Sequence, residues 1–330
     1  MPRETHNVKL LWLGIVAALL SAVYRVMDNY TVHNLVVGPK GVTTAFAYLV
    51  IGACTAAIVI PVLTLIFGRF LDPHFKGFVW GNRHMHWNAF ISGFFAAGST
   101  LFLLWGTQYG DPGALAALTT PTIVFTGLYE ILWARTLSMR AAVLPILAAT
   151  VGSFCGAWNG SFGATLTGFV LVFVVSNIIG AAGEIRETNG VKAVNAMNLM
   201  VWRFIWLAVT ATATALAVSF LSGQLEALQT QIHRSLTPAS VSFIVVTFGF
   251  VFGGIGLKLV LKRDHAVSVI LIVMSLQVFI TSGAAWFGNW YYPGTFGDTA
   301  YPWWVWPIRL TGLILLTWGV YRVSKVRSTE

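Results

Sequence analysis

Charged residues are scarce in this chain, where they make up 9% of the 330 residues, whereas about 25% is usual in a soluble domain. Hydrophobic residues account for 57%, and the mean hydropathy is +0.76. A soluble globular enzyme of this composition would expose large apolar patches to water, so that class is excluded. In a lipid bilayer the same apolar surface is stabilising. The sequence therefore predicts an integral membrane protein.

Cysteines and catalytic motifs are lacking as well. The chain has 2 cysteines, Cys54 and Cys155, and both lie in apolar stretches where they behave as small hydrophobic residues, so no disulfide framework is expected. His74, His84 and His86 form a histidine cluster, but no neighbouring Cys or carboxylate completes a metal-ligand set. The HExxH, GxSxG, P-loop and dinucleotide-binding patterns are absent from the sequence. We therefore expect no enzyme activity, no catalytic residue, no cofactor and no metal.

Long apolar segments dominate what is present, and their length of about 18–25 residues suits helices that cross a bilayer, whereas transmembrane strands need only about ten. The candidate spans are 8–27, 43–69, 86–107, 113–134, 139–158, 162–182, 193–221, 237–261, 265–286 and 303–323. The sequence thus predicts an all-α integral membrane protein with ten transmembrane helices.

The basic residues indicate how the chain is oriented. The net charge is +9, but Lys and Arg stand at the ends of apolar segments instead of clustering on one face, so nucleic-acid binding is not expected. Ten spans place both termini on one side, and the segments on the other side carry only Arg25, Lys40 and Arg234. By the positive-inside rule both termini are cytoplasmic. No targeting segment precedes the first span, which favours a bacterial or archaeal cytoplasmic membrane.

The two halves of the chain, residues 1–160 and 161–330, have parallel layouts. In each half a longer loop follows the second span and a tight turn follows the third. The loops are 70–85 and 222–236, and the turns are 108–112 and 262–264. In this alignment Pro121 to Phe125 lies opposite Ser275 to Phe279. Because five spans are an odd number, the second half enters the membrane upside down, which predicts a 5+5 inverted-topology repeat.

The segment from Gly113 to Phe125 (GALAALTTPTIVF), which continues to Arg135-Thr136-Leu137-Ser138 and a fifth span, resembles the fourth-to-fifth span signature of the EamA-type drug/metabolite transporter superfamily. The segment from Leu257 to Phe279 resembles it more weakly. The family commonly has a Gly-Glu pair where this chain has Trp133-Ala134. The resemblance implies a 5+5 inverted repeat with a substrate cavity between the halves, lined by spans 1, 3, 4, 6, 8 and 9, with spans 5 and 10 peripheral.

Small residues at helical spacing predict close helix packing in the third span, at Gly93 and Gly98, and in the eighth, at Gly249 and Gly253. Such packing serves either two bundles that rock against each other or a static bundle. Pro121 predicts a kink in the fourth span, which either frees a carbonyl toward a cavity or serves packing alone.

Glu130 is the candidate for ion coupling. It is the one acidic residue well inside a predicted span, and a carboxyl group at membrane depth is costly enough to be a functional candidate. It would serve proton coupling or bind a cationic substrate. The alternative is that Glu130 pairs with Arg135 or with a neighbouring helix near the cytoplasmic end of the span.

Arginines supply the other charged candidates. Arg25 lies three residues before Asp28 near the outer end of the first span, so we expect the two to pair on one helix face. Arg25 either contacts an anionic substrate through its planar guanidinium group or extends to the lipid headgroups on the outer side. Arg203, inside the seventh span, is either a buried residue that pairs with a neighbouring helix or a substrate ligand. Arg309 is expected to anchor the tenth span at the interface.

Neutral polar and aromatic residues complete the candidate substrate site. Trp105, Tyr109, Ser176, Asn177 and Gln277 are plausible cavity-lining residues, because aromatic faces and amides orient an organic solute without the cost of a buried charge. Each of them would otherwise form a helix–helix hydrogen bond.

We therefore expect a secondary-active transporter, an exporter or exchanger, that moves a small organic metabolite or drug-like solute by alternating access, with proton coupling left open. Its expected partners are the small-molecule substrate and the lipid bilayer, and both a monomer and a homodimer remain open. A non-transporting membrane scaffold or sensor is one alternative, although the short loops leave no docking domain. A membrane-embedded lipid-modifying enzyme is another, but Asp72, Glu184 and Asp264 fall in separate predicted loops.

Overall fold

The computed structural model describes residues 3–36, 38–39, 41–108, 119–135, 138–158, 170–293, 295 and 302–323. Regular structure in these ranges is helical throughout, with no strand. The helices are α1 (Arg3–Tyr30), α2 (Val42–Leu71), α3 (Arg83–Thr107), α4 (Thr122–Leu132), α5 (Met139–Ala157), α6 (Asn177–Ala193), α7 (Ala196–Leu221), α8 (Leu225–Ser235), α9 (Pro238–Lys262), α10 (Val267–Met274), α11 (Gln277–Tyr291) and α12 (Val305–Val323). π-Helical turns follow α1 at Thr31–Leu35 and precede α6 at Val170–Ser176.

Six stretches in the described part of the chain are long and apolar enough to cross a membrane. They are Leu10–Tyr30, Val42–Leu71, Arg83–Gly106, Ala196–Leu221, Pro238–Lys262 and Val267–Tyr291. The predicted all-α, multi-pass membrane protein is therefore confirmed. Large apolar side chains such as Phe70 (87% exposed) and Phe220 (71% exposed) cover the outer surface, as expected where lipid replaces water.

Side-chain caps fix where three of the long helices begin. Asn82 accepts a hydrogen bond from the Met85 amide (2.8 Å) at the start of α3, and Asn195 accepts one from the Asn198 amide (2.9 Å) at the start of α7. Thr237 caps α9 in the same way and is followed by proline in the first turn. Each cap satisfies an amide that the helix itself leaves without a partner.

Several helices differ from the predicted spans. α6 continues to Ala193, well beyond the predicted end at residue 182, so Glu184 lies on a helix and not in a loop as expected. α11 continues to Tyr291, which places residues 287–291 on a helix instead of in the predicted outer loop. The surface helix α8 lies in the predicted loop 222–236.

Pro121 lies in a turn that directly precedes α4, and because residues 109–118 lie outside the described residues, the predicted kink in the fourth span stays a prediction. The Pro121 carbonyl accepts hydrogen bonds from the amides of Val124 (2.9 Å) and Phe125 (3.2 Å) in the first turn of α4. The corresponding position in the second half is also a helix start, since α10 ends at Met274 and α11 begins at Gln277.

The helices pack in a repeating set of pairs. α1 packs against α9 and α11, α2 against α7 and α9, α3 against α6 and α7, α4 against α6 and α10, and α5 against α12. The closest approaches occur at glycines. A Cβ added at Gly93 of α3 would lie 2.8 Å from the Arg203 carbonyl oxygen of α7, and one at Gly312 of α12 would lie 2.6 Å from the Gly152 carbonyl oxygen of α5. Such contacts let helix backbones meet in lipid.

Candidate functional site

A cavity of about 260 Å³ lies inside the bundle, between α1, α2, α3, α6, α7 and α9. Its charged lining residues are Arg25, Asp28, Glu184, Glu187, Arg203 and Lys258, and its aromatic lining residues are Tyr24, Tyr48, Phe204 and Phe248. The resemblance implied that spans 4 and 9 would contribute. In the described residues, α2 and α7 line the cavity in their place, because these two helices pack directly on each other while α4 packs against α10.

At one end of the cavity five ionisable side chains form a group that we call the charged cluster. Its members are Glu184, Glu187, Arg203, Lys258 and Lys262. Glu187 accepts from Arg203 Nε (2.7 Å) and also pairs with Lys262. Glu184 pairs with Lys258 through Oε1 (2.7 Å) and with Lys262 through Oε2 (2.6 Å). The Lys258 ammonium is also 3.6 Å from Glu187.

The charged cluster is almost completely buried: the Lys262 side chain is 0% exposed and that of Glu187 is 1% exposed. Charges at this depth are stable only when they are paired and hydrogen-bonded, because removing an ion from water costs several kcal/mol. The pairs join α6, α7 and α9, and Arg203 Nε also donates to Ser92 Oγ of α3 at 3.2 Å. The cluster therefore links four helices at this end of the cavity.

A second polar group, from α1 and α2, lines the cavity wall. The Tyr48 hydroxyl donates to Asp28 Oδ1 at 2.5 Å. The expected ion pair between Arg25 and Asp28 is not formed, and the carboxylate is engaged by Tyr48 of the neighbouring helix. Arg25 Nε is buried and has no hydrogen-bond partner among the described residues. Arg25 lines the cavity, and its contact with an anionic substrate stays a prediction.

Glu130 lies outside the cavity lining and is buried against the start of α10. Its carboxylate accepts hydrogen bonds from the amides of Val267 (2.5 Å) and Ser268 (3.0 Å), and from the Ser268 hydroxyl. A carboxylate at a helix N-terminus satisfies unpaired amides and interacts favourably with the helix dipole. Of the two interpretations of Glu130, this geometry matches pairing with a neighbouring helix, and a coupling role stays a prediction.

The neutral candidates that the structure describes lie between helices and are not among the residues that line the cavity. Ser176 Oγ donates to the Ser99 carbonyl at 3.0 Å, and Asn177 Oδ1 accepts from Thr122 Oγ1 at 2.6 Å. Trp105 Nε1 and Gln277 Oε1 are buried without a hydrogen-bond partner in the described part of the chain. Tyr109 lies outside the described residues.

The predicted packing glycines divide into two kinds. A Cβ at Gly93 would meet backbone atoms of α7 at 2.8 Å, one at Gly253 would meet Leu20 at 2.7 Å, and one at Gly98 would meet Ile179 at 3.4 Å. At Gly249 nothing lies within 4 Å, so this glycine takes no part in close packing.

Arg309 is buried (8% exposed), and its Nε donates to the Trp158 carbonyl at 2.7 Å. The predicted interfacial anchor is thus a buried hydrogen-bond donor that joins α12 to the end of α5.

The sequence-based candidates omitted Glu187, Lys258 and Lys262 of the charged cluster. A signal for them is present: Glu184 and Glu187 are three residues apart, and the two lysines are four apart, so each pair shares one helix face. The two glutamates lie on one helix, α6, and the two lysines lie on another, α9. Opposite charges in this arrangement, next to apolar segments, predict that the two helices pair through them.

Comparison with known proteins is informative about the fold alone. No protein-family model matches the chain, and no curated protein matches it. One solved structure, described only as the crystal structure of a protein, aligns with 95% of this chain and 96% of its own length, with a TM-score of 0.53 and 13% identity. The overall arrangement of the helices is therefore similar to that of a protein determined experimentally.

Proposed function

We propose that this chain is a secondary-active transporter that carries a small organic solute across a membrane by alternating access. The observation that carries the proposal is the cavity inside the bundle, with six ionisable side chains on its wall. Ionisable groups at membrane depth are costly, and in membrane proteins they mark pathways for substrates and ions. A static scaffold has no need of such a wall.

The helix packing supports a 5+5 inverted repeat of ten spans. If the two halves correspond, α1 matches α6, α2 matches α7, α3 matches α9, α4 matches the pair α10 and α11, and α5 matches α12. Exchanging the partners turns the pair α1–α9 into α6–α3, the pair α2–α9 into α7–α3, and the pair α1–α11 into α6–α4. All of these pairs are in contact. The pairs α2–α7 and α5–α12 exchange into themselves, as elements on a two-fold axis do.

The charged cluster suggests which side of the cavity is closed. Its lysines lie in the last turns of α9 and its Arg203 lies near the start of α7, and the distribution of Lys and Arg assigns these two helix ends to the cytoplasmic side. With the cluster formed, a solute in the cavity has no route past the buried Lys262. Access from the cytoplasm therefore requires the contacts of Arg203 with Glu187 and Ser92 to separate.

An efflux measurement tests the proposal. Liposomes that contain the purified full chain are loaded with a mixture of anionic, cationic, zwitterionic and neutral small solutes and diluted into solute-free buffer. The retained solutes are then measured by mass spectrometry. We expect one class of solute to leave these liposomes faster than protein-free liposomes.

A blocked cavity supplies the matched variant. A Cβ at Gly52 on the cavity wall would meet only Phe248, at 3.9 Å. The first side-chain atoms of Gly52→Trp are therefore accommodated, and its indole ring occupies the cavity. Gly249→Trp adds the same bulk where nothing lies within 4 Å. Efflux should be lost in Gly52→Trp and kept in Gly249→Trp. Retention of every solute by the parent protein would favour the scaffold interpretation instead.

A further inference from the structure

We infer that the solute bound in this cavity is a small organic acid whose anionic group binds at Arg25 and Arg203. The inference rests on the proposed function and adds the chemical class of the substrate to it. It depends on three features of the cavity: guanidinium nitrogens without partners, an excess of positive charge, and apolar walls.

The guanidinium groups are the first feature. Arg203 is 7% exposed, lines the cavity, and has its Nε engaged by Glu187 and Ser92. Its Nη1 is buried and has no hydrogen-bond partner among the described residues, and the same is true of Arg25 Nε. A buried donor without a partner costs about 1–3 kcal/mol, and more when it is charged. A carboxylate accepts strong hydrogen bonds from guanidinium N–H groups, so the anionic group of a solute in the cavity is the partner that these donors lack.

The balance of charge is the second feature. Around the cavity the cations are Arg25, Arg203, Lys258 and Lys262, and the carboxylates are Asp28, Glu184 and Glu187. One positive charge is therefore in excess. Glu130 does not offset it by direct contact, because its carboxylate is engaged by the start of α10. A singly charged anion would make the site neutral, and neutrality is strongly favoured where the surroundings are apolar.

The state of the carboxylates argues against a cationic solute. Each of the three already has a protein donor: Asp28 has the Tyr48 hydroxyl, Glu184 has two lysines, and Glu187 has both lysines and Arg203. An ammonium group entering the cavity would have to share these carboxylates with donors that the protein already supplies. An acid displaces none of them.

The remaining residues of the cavity wall determine the size and polarity of the part of the solute that carries no charge. Phe204, Phe248, Leu104, Val251 and Ile255 face the cavity and offer apolar or aromatic contact. The volume of about 260 Å³ lies below the range of about 300–1,000 Å³ that is usual for drug-sized ligands. An acid with a small apolar or aromatic body therefore fits the cavity better than a drug-sized or polyhydroxylated one.

Thermal unfolding of the full chain in detergent tests the inference with pairs of compounds that differ in charge and little in shape. The probes are benzoate with benzamide, phenylacetate with phenylacetamide, and benzylamine as the cation. A ligand that binds the native state raises the melting temperature as its concentration exceeds Kd. At equal ionic strength, we expect at least one acid to raise it and its amide and benzylamine to leave it unchanged.

Variants locate the binding. Arg25→Gln should weaken binding of the acid about tenfold or more, because a hydrogen bond to a charged group is lost. Arg322→Gln removes the same charge from an exposed position near Trp318 and should leave the affinity unchanged. Arg25→Lys keeps the charge and should bind more weakly than the parent but more strongly than Arg25→Gln.

The outcomes separate the inference from the proposed function. If an amide or benzylamine stabilises as well as the acid, or if no acid stabilises up to its solubility limit, the organic-acid inference is overturned. Efflux of a neutral or cationic solute from liposomes would then leave the transporter proposal intact. Conversely, an acid that binds through Arg25 but never leaves loaded liposomes supports the binding site and contradicts transport.

Discussion

Removing the charge of Glu187 is the sharpest perturbation of the charged cluster. Glu187 is 1% exposed and accepts from Arg203 at 2.7 Å while it pairs with Lys262 and lies 3.6 Å from Lys258. In Glu187→Gln, three buried cations would face the single carboxylate of Glu184. Removing one partner of a buried ion pair costs about 3–5 kcal/mol, since a charge is left uncompensated. We expect a loss of that size in the free energy of unfolding.

The assay is a denaturant titration of the reconstituted protein in mixed micelles, followed by circular dichroism. Glu226→Gln on the surface helix α8 removes a charge from an exposed position and should change the free energy of unfolding by no more than about 0.5 kcal/mol. The double variant Glu187→Gln with Lys262→Met restores the balance of charge and should recover part of the loss. A loss below about 1 kcal/mol in Glu187→Gln, which is the range of exposed ion pairs, would contradict a buried and uncompensated charge in this variant.

Two further predictions concern stability. Glu130→Gln should lower the free energy of unfolding by about 1–3 kcal/mol, because charge-assisted bonds to the Ser268 amide and hydroxyl are lost; an unchanged value would contradict the capping role. Gly93→Ala should cost about 1–3 kcal/mol, since its Cβ would lie 2.8 Å from the Arg203 carbonyl oxygen. Gly249→Ala, with open space around it, should be neutral or slightly stabilising. Equal melting temperatures for the two alanine variants would argue against close packing at Gly93.

The positions of the long helices follow from the sequence because their cause is local. A continuous apolar stretch is needed wherever the chain crosses lipid, so the predicted span 43–69 corresponds to α2 (Val42–Leu71) and 303–323 to α12 (Val305–Val323). The polar signals at helix starts, such as Asn82 and Asn195, are local as well.

The site is less predictable because its contacts are between distant parts of the chain. Arg25 and Arg203 stand out in a sequence as charges inside apolar spans, and both line the cavity. Glu187 does not stand out, because the average hydropathy of a window falls at any carboxylate, whether or not a lysine pairs with it. The predicted span therefore ends before Glu187. Its partner Lys262 is 75 residues away. The interruption between Met274 and Gln277 contains neither proline nor glycine, so local sequence offers no breaker to recognise.

The central claim is that the cavity opens to both sides of the membrane, and a cysteine on its wall tests this without a known substrate. Thr100→Cys places a near-isosteric thiol in the cavity, in a background in which Cys54 and Cys155 are replaced by serine. A membrane-impermeant maleimide is applied to right-side-out and to inside-out vesicles. Retaining Cys54, which is exposed on the outer surface of its helix, gives a lipid-facing control that should resist the reagent from both sides. Alternating access requires labelling of Thr100→Cys from both faces of the membrane, and labelling from one face alone would contradict it.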